Sequence, residues 1–270
     1  MLTLLPTPIG NIGDITFRAL EILNNCDLIL CEDTRVTKQL LNILKDRYDF
    51  NYPNADIISF HEHNGKERLE QIGYRLKEQN VVYMSDAGMP AISDPGQLLV
   101  EFCQKEYIEY DVVPGASVAP LIYAASGFES GKFYFYGFLP KKGKDRENEL
   151  NTIISSGLDT IIYEAPHRIL KLLEQICNID EDRELFVAKE LTKKHQRYFR
   201  GLAKDILTEL KSISTKGEWA LVIKGVESEF KTLDLNEIKS LDIPPKAKAK
   251  LISKLSGKSI KECYEELLKI

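Results

Sequence analysis

The chain predicts an α/β protein made of two α/β units followed by a small helical tail. Three observations carry that expectation. Apolar runs of about four residues, such as 2–5, 81–84 and 160–163, stop abruptly at Gly, Pro, Ser, Asp or Glu, as buried strands do. Segments between these runs repeat apolar residues at helical spacing. Composition is 43% hydrophobic and 29% charged, with no run of eighteen apolar residues, which argues for a soluble globular protein rather than a membrane or disordered one. At 270 residues there is room for two medium units, read here as 1–128, 129–228 and a tail over 229–270.

In the first unit, strand 2–5 leads into the loop PTPIGNIGD, and Ala19, Ile22, Leu23 and Cys26 mark a helix. A second strand at 27–31 runs into Glu32, Asp33, Thr34 and Arg35, which open a helix through Leu44. A third strand at 57–60 ends in His61, Glu62, His63 and Asn64 before a helix buried along Leu69, Ile72, Gly73 and Leu76. Strand 81–84, the loop SDAGMPAISDPG, a helix over 98–105 and strand 110–113 complete the unit. Strands alternating with helices imply a mostly parallel, doubly wound sheet.

The second unit starts with the aromatic strand 133–136, the sequence GFLP and a basic stretch over 141–146. A helix reaches residue 155, and strand 160–163 meets Glu164, Ala165, Pro166, His167 and Arg168. Ile169, Leu172, Leu173 and Ile176 form one helix face, strand 185–188 leads into KELTKKH, a short strand surrounds Tyr198, and strand 219–223 closes the unit. After Pro244 and Pro245 the tail shows helical spacing at Ile260, Tyr264, Leu267 and Leu268.

Net charge is -5, yet residues 239–261 hold seven lysines and one acid. Such a run is a solvated helix face or the footprint of a phosphate-backbone contact. Five cysteines without CxxC spacing read as reduced core thiols of a cytoplasmic protein, with no leader segment and no metal site. His61 and His63 could place two imidazoles on one side of an extended segment, but a third ligand is lacking.

Loops 8–14, 85–96 and 114–117 each follow a strand, contain glycine and lack lysine or arginine. They have neither the GxGxxG spacing nor the GK[ST] ending of nucleotide loops, and no GxSxG elbow is present. Together they offer backbone amides and carbonyls to a neutral or cationic small molecule. Glu164 with His167, and Glu190 with Lys193, combine carboxylate, imidazole and cations past strand ends, the groups needed to orient and deprotonate a hydroxyl beside a phosphodiester. The alternative is that Glu164 pairs with Arg168 merely to pin its loop.

The ordered motifs PTPIGNIGDIT, CEDTR, SFHEHN, SDAGMPAISDPG, VPGAS, GFLP, YEAPHR, KELTKKH and GEWALVI resemble the bacterial family of small-subunit ribosomal RNA methyltransferases I, within the tetrapyrrole methylase fold. The resemblance runs from residue 2 to about 225. It implies two α/β domains of the class III methyltransferase type with the cofactor in the cleft between them, and S-adenosylmethionine-dependent 2'-O-methylation of a cytidine in 16S rRNA at the decoding centre. The partner would be 16S rRNA or the 30S subunit, and the enzyme a homodimer. Carried over by motif, Pro8 lines the donor pocket; Ser85, Asp86, Ala87, Gly88, Ile92 and Ser93 form one wall, and Ala116 and Ser117 another. Glu164, His167, Glu190 and Lys193 are the expected catalytic group, with Lys141, Lys142, Lys144, Arg200 and the tail on the RNA backbone. Met89, Ala165 and Gln196 depart from the usual Thr, Ser and Glu of these motifs. Two rivals remain: a tetrapyrrole C-methyltransferase of the same fold, and a non-catalytic RNA-binding module that keeps a relic of the pocket.

Overall fold

The computed structural model describes all residues except 49, 52, 62, 227–233 and 269–270. Residues Met1–Val226 form one compact unit and Glu227–Ile270 another. The larger unit carries two five-stranded sheets. In the first, β1 (Leu2–Leu4), β2 (Leu28–Cys31), β3 (Asp56–Ser59), β4 (Val81–Met84) and β5 (Tyr110–Val112) lie in the order β3-β2-β4-β1-β5. Every pairing is parallel, as the alternation with helices predicts.

The fully buried strands β1, β2 and β4 are continuous apolar runs because helices cover both of their faces. Leu4, Leu30 and Tyr83 pack on α3 (Gly65–Glu78) and α4 (Gly96–Lys105). Their neighbours Leu5, Ile29 and Val82 point the opposite way, toward α1 (Phe17–Asn24) and α2 (Thr34–Arg47). The period-two alternation is thus present but hidden, since both faces want apolar side chains. Helix α5 (Val118–Ser126) ends at Gly127 in the left-handed conformation, φ 64°.

The second sheet runs β6-β7-β10-β8-β9, with β6 (Phe133–Phe138), β7 (Asp159–Glu164), β8 (Glu184–Lys189), β9 (Arg197–Leu202) and β10 (Trp219–Ile223). It is mixed: β6 pairs parallel with β7, whereas β10 inserts antiparallel between β7 and β8, and β9 is antiparallel to β8. Helices α6 (Lys144–Ser155), α7 (Ile169–Ile179) and α8 (Ala203–Lys211) accompany it. Leu150, Leu172, Leu173, Ile206 and Leu210 bury one face. The other face, with Ile161, Phe186, Ala188 and Val222, packs on Ile9, Ala119 and Ile122 from the first half of the chain. That apolar cluster joins the two sheets and leaves their carboxyl-terminal loops facing one another.

The smaller unit contains α9 (Leu235–Ser240), α10 (Pro245–Ser256) and α11 (Ile260–Leu267) around Ile238, Ala249, Ile252 and Cys263. Pro245 opens α10, where a missing N–H is harmless, and Gly257 (φ 70°) closes it. Ser259 and Glu262 then form a reciprocal capping box for α11. The cysteines are free thiols, four of them buried. No described helix is long and apolar enough to cross a membrane.

Candidate functional site

The loop after β4 is held by short polar side chains. Thr7 and Gly88 exchange two backbone hydrogen bonds of 3.0 Å, forming an isolated antiparallel bridge between the segments that follow β1 and β4. The Thr7 hydroxyl donates to the Ser85 carbonyl at 3.2 Å, and the Ser85 hydroxyl donates to the Gly88 carbonyl at 3.0 Å. Ser85 is therefore buried as a brace. Gly88 sits at φ 87°, and a Cβ there would lie 3.1 Å from Ile9 Cγ2, so conformation and space both call for glycine. Asp94 Oδ1 accepts from the amides of Ala91 (2.9 Å) and Gly96 (2.8 Å) and from the Tyr83 hydroxyl (3.0 Å). This one oxygen holds the loop while Ala91 and Ser93 take left-handed backbone angles, φ 65° and 67°. Non-glycine residues in that region cost of order 1–3 kcal/mol each, strain that clusters at ligand-binding sites.

The loop after β8 uses the same device. Glu190 and Thr192 have φ 53° and 62°. The Gln196 side-chain oxygen accepts from the Thr192 amide at 2.6 Å, a task the more usual glutamate would perform equally. The Thr192 hydroxyl accepts from the Asn11 amide at 3.0 Å, bonding the loop after β1 to the loop after β8. A Cβ on Gly10 would come within 2.4 Å of Lys193 Cγ and 2.9 Å of the Leu191 carbonyl, so the two loops touch at Gly10.

Between the sheets lies a cavity of about 400 Å³, lined by Ile9, Ala87 and Val118 on one side and by Phe138, Tyr163, Ala165, Pro166, Ala188, Leu191 and Ala220 on the other, with Glu164, Glu218 and Trp219 at its edge. Among the described residues no lysine, arginine or histidine lines it. Burial pushes the Tyr163 phenol up to about 12. Ala116 and Ser117 line an adjoining cavity of about 500 Å³ with Ile9, Asp14 and Thr192. Pro8 is half-buried between Thr7 and Ile9, and Ile92 is exposed. Of the residues expected to surround a donor, Ala87 faces the apolar cavity, Ser85 and Gly88 shape the loop that presents it, and Ser93 faces a third cavity.

That third cavity, about 600 Å³, lies where β2, β3 and β4 end. Glu32, His61, His63, Lys66, Ser93, Asp94 and Gln97 line it with Pro95 and Leu98. Glu62 of the same motif lies outside the described residues. Glu32 Oε1 accepts from the Asp86 amide at 3.0 Å, and Asp86 Oδ1 accepts from the Asp33 amide at 3.1 Å. Burial raises the Glu32 carboxyl above its ordinary value, and the nearby Asp86 adds to the rise. Burial likewise raises Asp86, with Asp33 contributing. Spacing had marked His61 and His63 only as a doubtful metal pair; their rings lie 6.1 Å apart. Among the described residues no group of three or more His, Cys, Asp or Glu is arranged to hold a metal ion.

The residues expected to be catalytic are more constrained. Glu164 is buried, its Oε2 2.8 Å from the Arg146 guanidinium and its Oε1 2.7 Å from Arg168 Nε. Its Oε1 also accepts from the Ala165 amide. The pairing with Arg168 that would pin the loop is thus present, and the wholly buried Arg146, unforeseen in the sequence, joins it while also donating to the Pro140 carbonyl and Gln175. His167 is exposed at the tip of this loop. Glu190 Oε1 accepts from the Glu218 amide at 2.8 Å and pairs with Lys193 at 3.2 Å. The amide, followed by Lys193, holds the Glu190 carboxyl below its ordinary value. Burial pulls the Lys193 ammonium down, but its bonds to Glu218 and Glu190 outweigh that and raise it. Lys141, Lys142 and Lys144 are exposed, and Arg200 pairs with Glu184 at 3.0 Å beside the Phe128 ring.

Known proteins resemble this chain in sequence and in fold. The family model for Tetrapyrrole (Corrin/Porphyrin) Methylases matches residues 1–207. A ribosomal RNA small subunit methyltransferase I of Helicobacter pylori strain J99 is 41% identical over 99% of this chain and 97% of its own length. The Campylobacter fetus protein of that name is 42% identical over 99% of this chain and 100% of its own, and the Thermotoga maritima one 44% over 84% and 99%. Among solved structures, the cobalamin biosynthetic enzyme cobalt precorrin-4 methyltransferase superposes with TM-score 0.60 at 16% identity, covering 83% of this chain and 94% of that one. Diphthine synthase superposes with TM-score 0.63 at 13% identity, covering 83% and 89%. The chain belongs to the tetrapyrrole methylase family and, within it, to the ribosomal RNA small subunit methyltransferase I family.

Proposed function

We propose that the protein transfers a methyl group to the 2'-oxygen of a cytidine ribose in 16S rRNA at the decoding centre. The observation that carries this reading is full-length identity of 41% to a relative whose name specifies small-subunit ribosomal RNA methylation. Enzymes of this family use S-adenosylmethionine, which supplies a methyl group already activated on a sulfonium. The apolar cavity suits such a donor: its volume of about 400 Å³ falls in the range of small-molecule sites, and among the described residues no cation lines it to repel the sulfonium. The glycine required at Gly88 lets the backbone close on that space.

With so good a leaving group, alignment of acceptor oxygen, carbon and sulfur dominates. Positioning supplies about 7–11 kcal/mol, whereas a general base adds about 10²- to 10⁴-fold in rate. The braced loop after β4 and the Asn11 to Thr192 bond hold the cleft in one geometry before substrate arrives. Glu164 and Arg146 fix the loop that displays His167, and Lys141, Lys142 and Lys144 offer cations to the RNA backbone together with the lysine-rich tail. The working form is read as a cytoplasmic homodimer acting on 16S rRNA or the 30S subunit.

Tritiated S-adenosylmethionine incubated with 30S subunits lacking the modification, followed by mapping of the labelled nucleotide, tests the proposal. Label on one ribose 2'-oxygen of 16S rRNA is expected. Label on a base, or on an added porphyrin or corrin and not on RNA, would overturn it.

A further inference from the structure

A methyl transferase needs two compartments on either side of the transferred carbon, and the loop after β4 walls two. Ala87 faces the apolar cavity, while Ser93 and Asp94 face the charged one. The second compartment is open enough for a nucleotide at about 600 Å³ and is rich in hydrogen-bonding groups. Glu32 stands in its wall with one oxygen held by the Asp86 amide, and its other oxygen accepts no hydrogen bond among the described residues. No cation pairs with it there. The Nδ1 atom of His61, in the same wall, is buried and has no hydrogen-bond partner among the described residues, an atom that a bound polar group would satisfy.

We propose that this pocket receives the acceptor nucleotide and that Glu32 is the catalytic residue that takes the proton of the attacking hydroxyl. The inference rests on the ribose-methylation reading above. As the hydroxyl oxygen bonds to the methyl carbon, the carbon–sulfur bond breaks and its electron pair stays on sulfur as a neutral thioether. The hydroxyl proton passes to the free Glu32 oxygen and then to solvent. Glu32 is suited to this because burial and Asp86 raise its proton affinity, while the groups that face it come from three elements. Asp33 lies beside it at the start of α2, His61, His63 and Lys66 come from the segment after β3, and Asp86, Asp94 and the Tyr83 hydroxyl come from β4 and its loop. Glu190 is lowered instead by the Glu218 amide and Lys193, and Glu164 is enclosed by Arg146 and Arg168 with no oxygen turned to this pocket.

The test uses the full chain with 30S subunits lacking the modification. Glu32→Gln keeps an oxygen for the Asp86 amide, so S-adenosylmethionine affinity by calorimetry and subunit affinity by filter binding should stay within about threefold. Single-turnover methylation should fall about 10²- to 10⁴-fold. The wild-type rate should also drop as pH falls through a carboxyl titration above the ordinary glutamate range, and that limb should vanish in the variant. A purely structural role would leave the limb in place. A photo-crosslinking residue at Gln97 should capture the target nucleotide or its neighbour in the absence of any turnover. Glu32→Gln within threefold of wild type at every pH, or crosslinking at His167 but not at Gln97, overturns the inference. Wild-type protein that labels no ribose would instead overturn the functional reading beneath it.

Discussion

Four carboxylates that follow strands of the two sheets sit in opposite surroundings. After β7 and β8, Glu164 is enclosed by Arg146 and Arg168, and Glu190 is met by the Glu218 amide and Lys193. After β2 and β4, Glu32 and Asp86 each accept one backbone amide, have no cationic partner among the described residues and are raised by burial. In sequence, acids beside cations look reactive; in the fold, that adjacency neutralises them. The acids left without a counter-charge are the ones with proton affinity to spare.

The sharpest break of this contrast is Glu164→Ala. Removing the buried acid leaves Arg146 and Arg168 facing each other, and loss of one partner of a buried pair costs about 3–5 kcal/mol. Urea unfolding should show that loss with an unchanged m-value. Lys193→Met acts on the more exposed partner of Glu190, and about 1 kcal/mol is expected in the same assay. Glu32→Gln should move stability the other way. Because the folded-state carboxyl is raised, the native protein binds more protons than the unfolded chain across the window between the two values, and stability falls as pH rises through it. The variant escapes that fall, so it should be more stable than wild type at neutral pH and equal to it below the ordinary glutamate value. The least effect is expected at Arg35→Ala: Arg35 and Asp33 form a solvent-exposed pair, and thermal unfolding should not distinguish the variant from wild type.

Much of the first sheet was legible because a doubly wound sheet is local in sequence: each strand, loop and helix announces itself by period and punctuation. The second sheet was less so. Insertion of β10 between β7 and β8 depends on pairings that no local pattern encodes. Helix α8 escaped notice although Ala203, Ile206 and Leu210 are spaced to face the core, since Gly201 and the preceding strand obscure its start. At the site, the glycine-containing loops were readable from their lack of bulky polar side chains. Arg146 was not, because a basic stretch beside a helix reads as surface until its mate Glu164 is brought over it. Glu32 and His61 were visible only as a helix opening and a weak metal pair. They share a pocket because β2 and β3 pair side by side, so the residues that follow the two strands meet at one end of the sheet, where β4 on the other side of β2 adds Ser93 and Asp94.

The bond from Asn11 to Thr192 spans 181 residues, and ten of the thirteen residues lining the apolar cavity come after residue 128. On the proposed placement of the donor in this cavity, donor binding is a late event in the life of each newly made chain. Until residue 220 has emerged, Ile9, Ala119 and Ile122 form an apolar patch with no sheet to cover them. Such half-finished surfaces are where nascent chains stick to one another or to chaperones. A donor bound as proposed would not protect the protein during that interval, and would stabilise it only once the last strand has closed the second sheet.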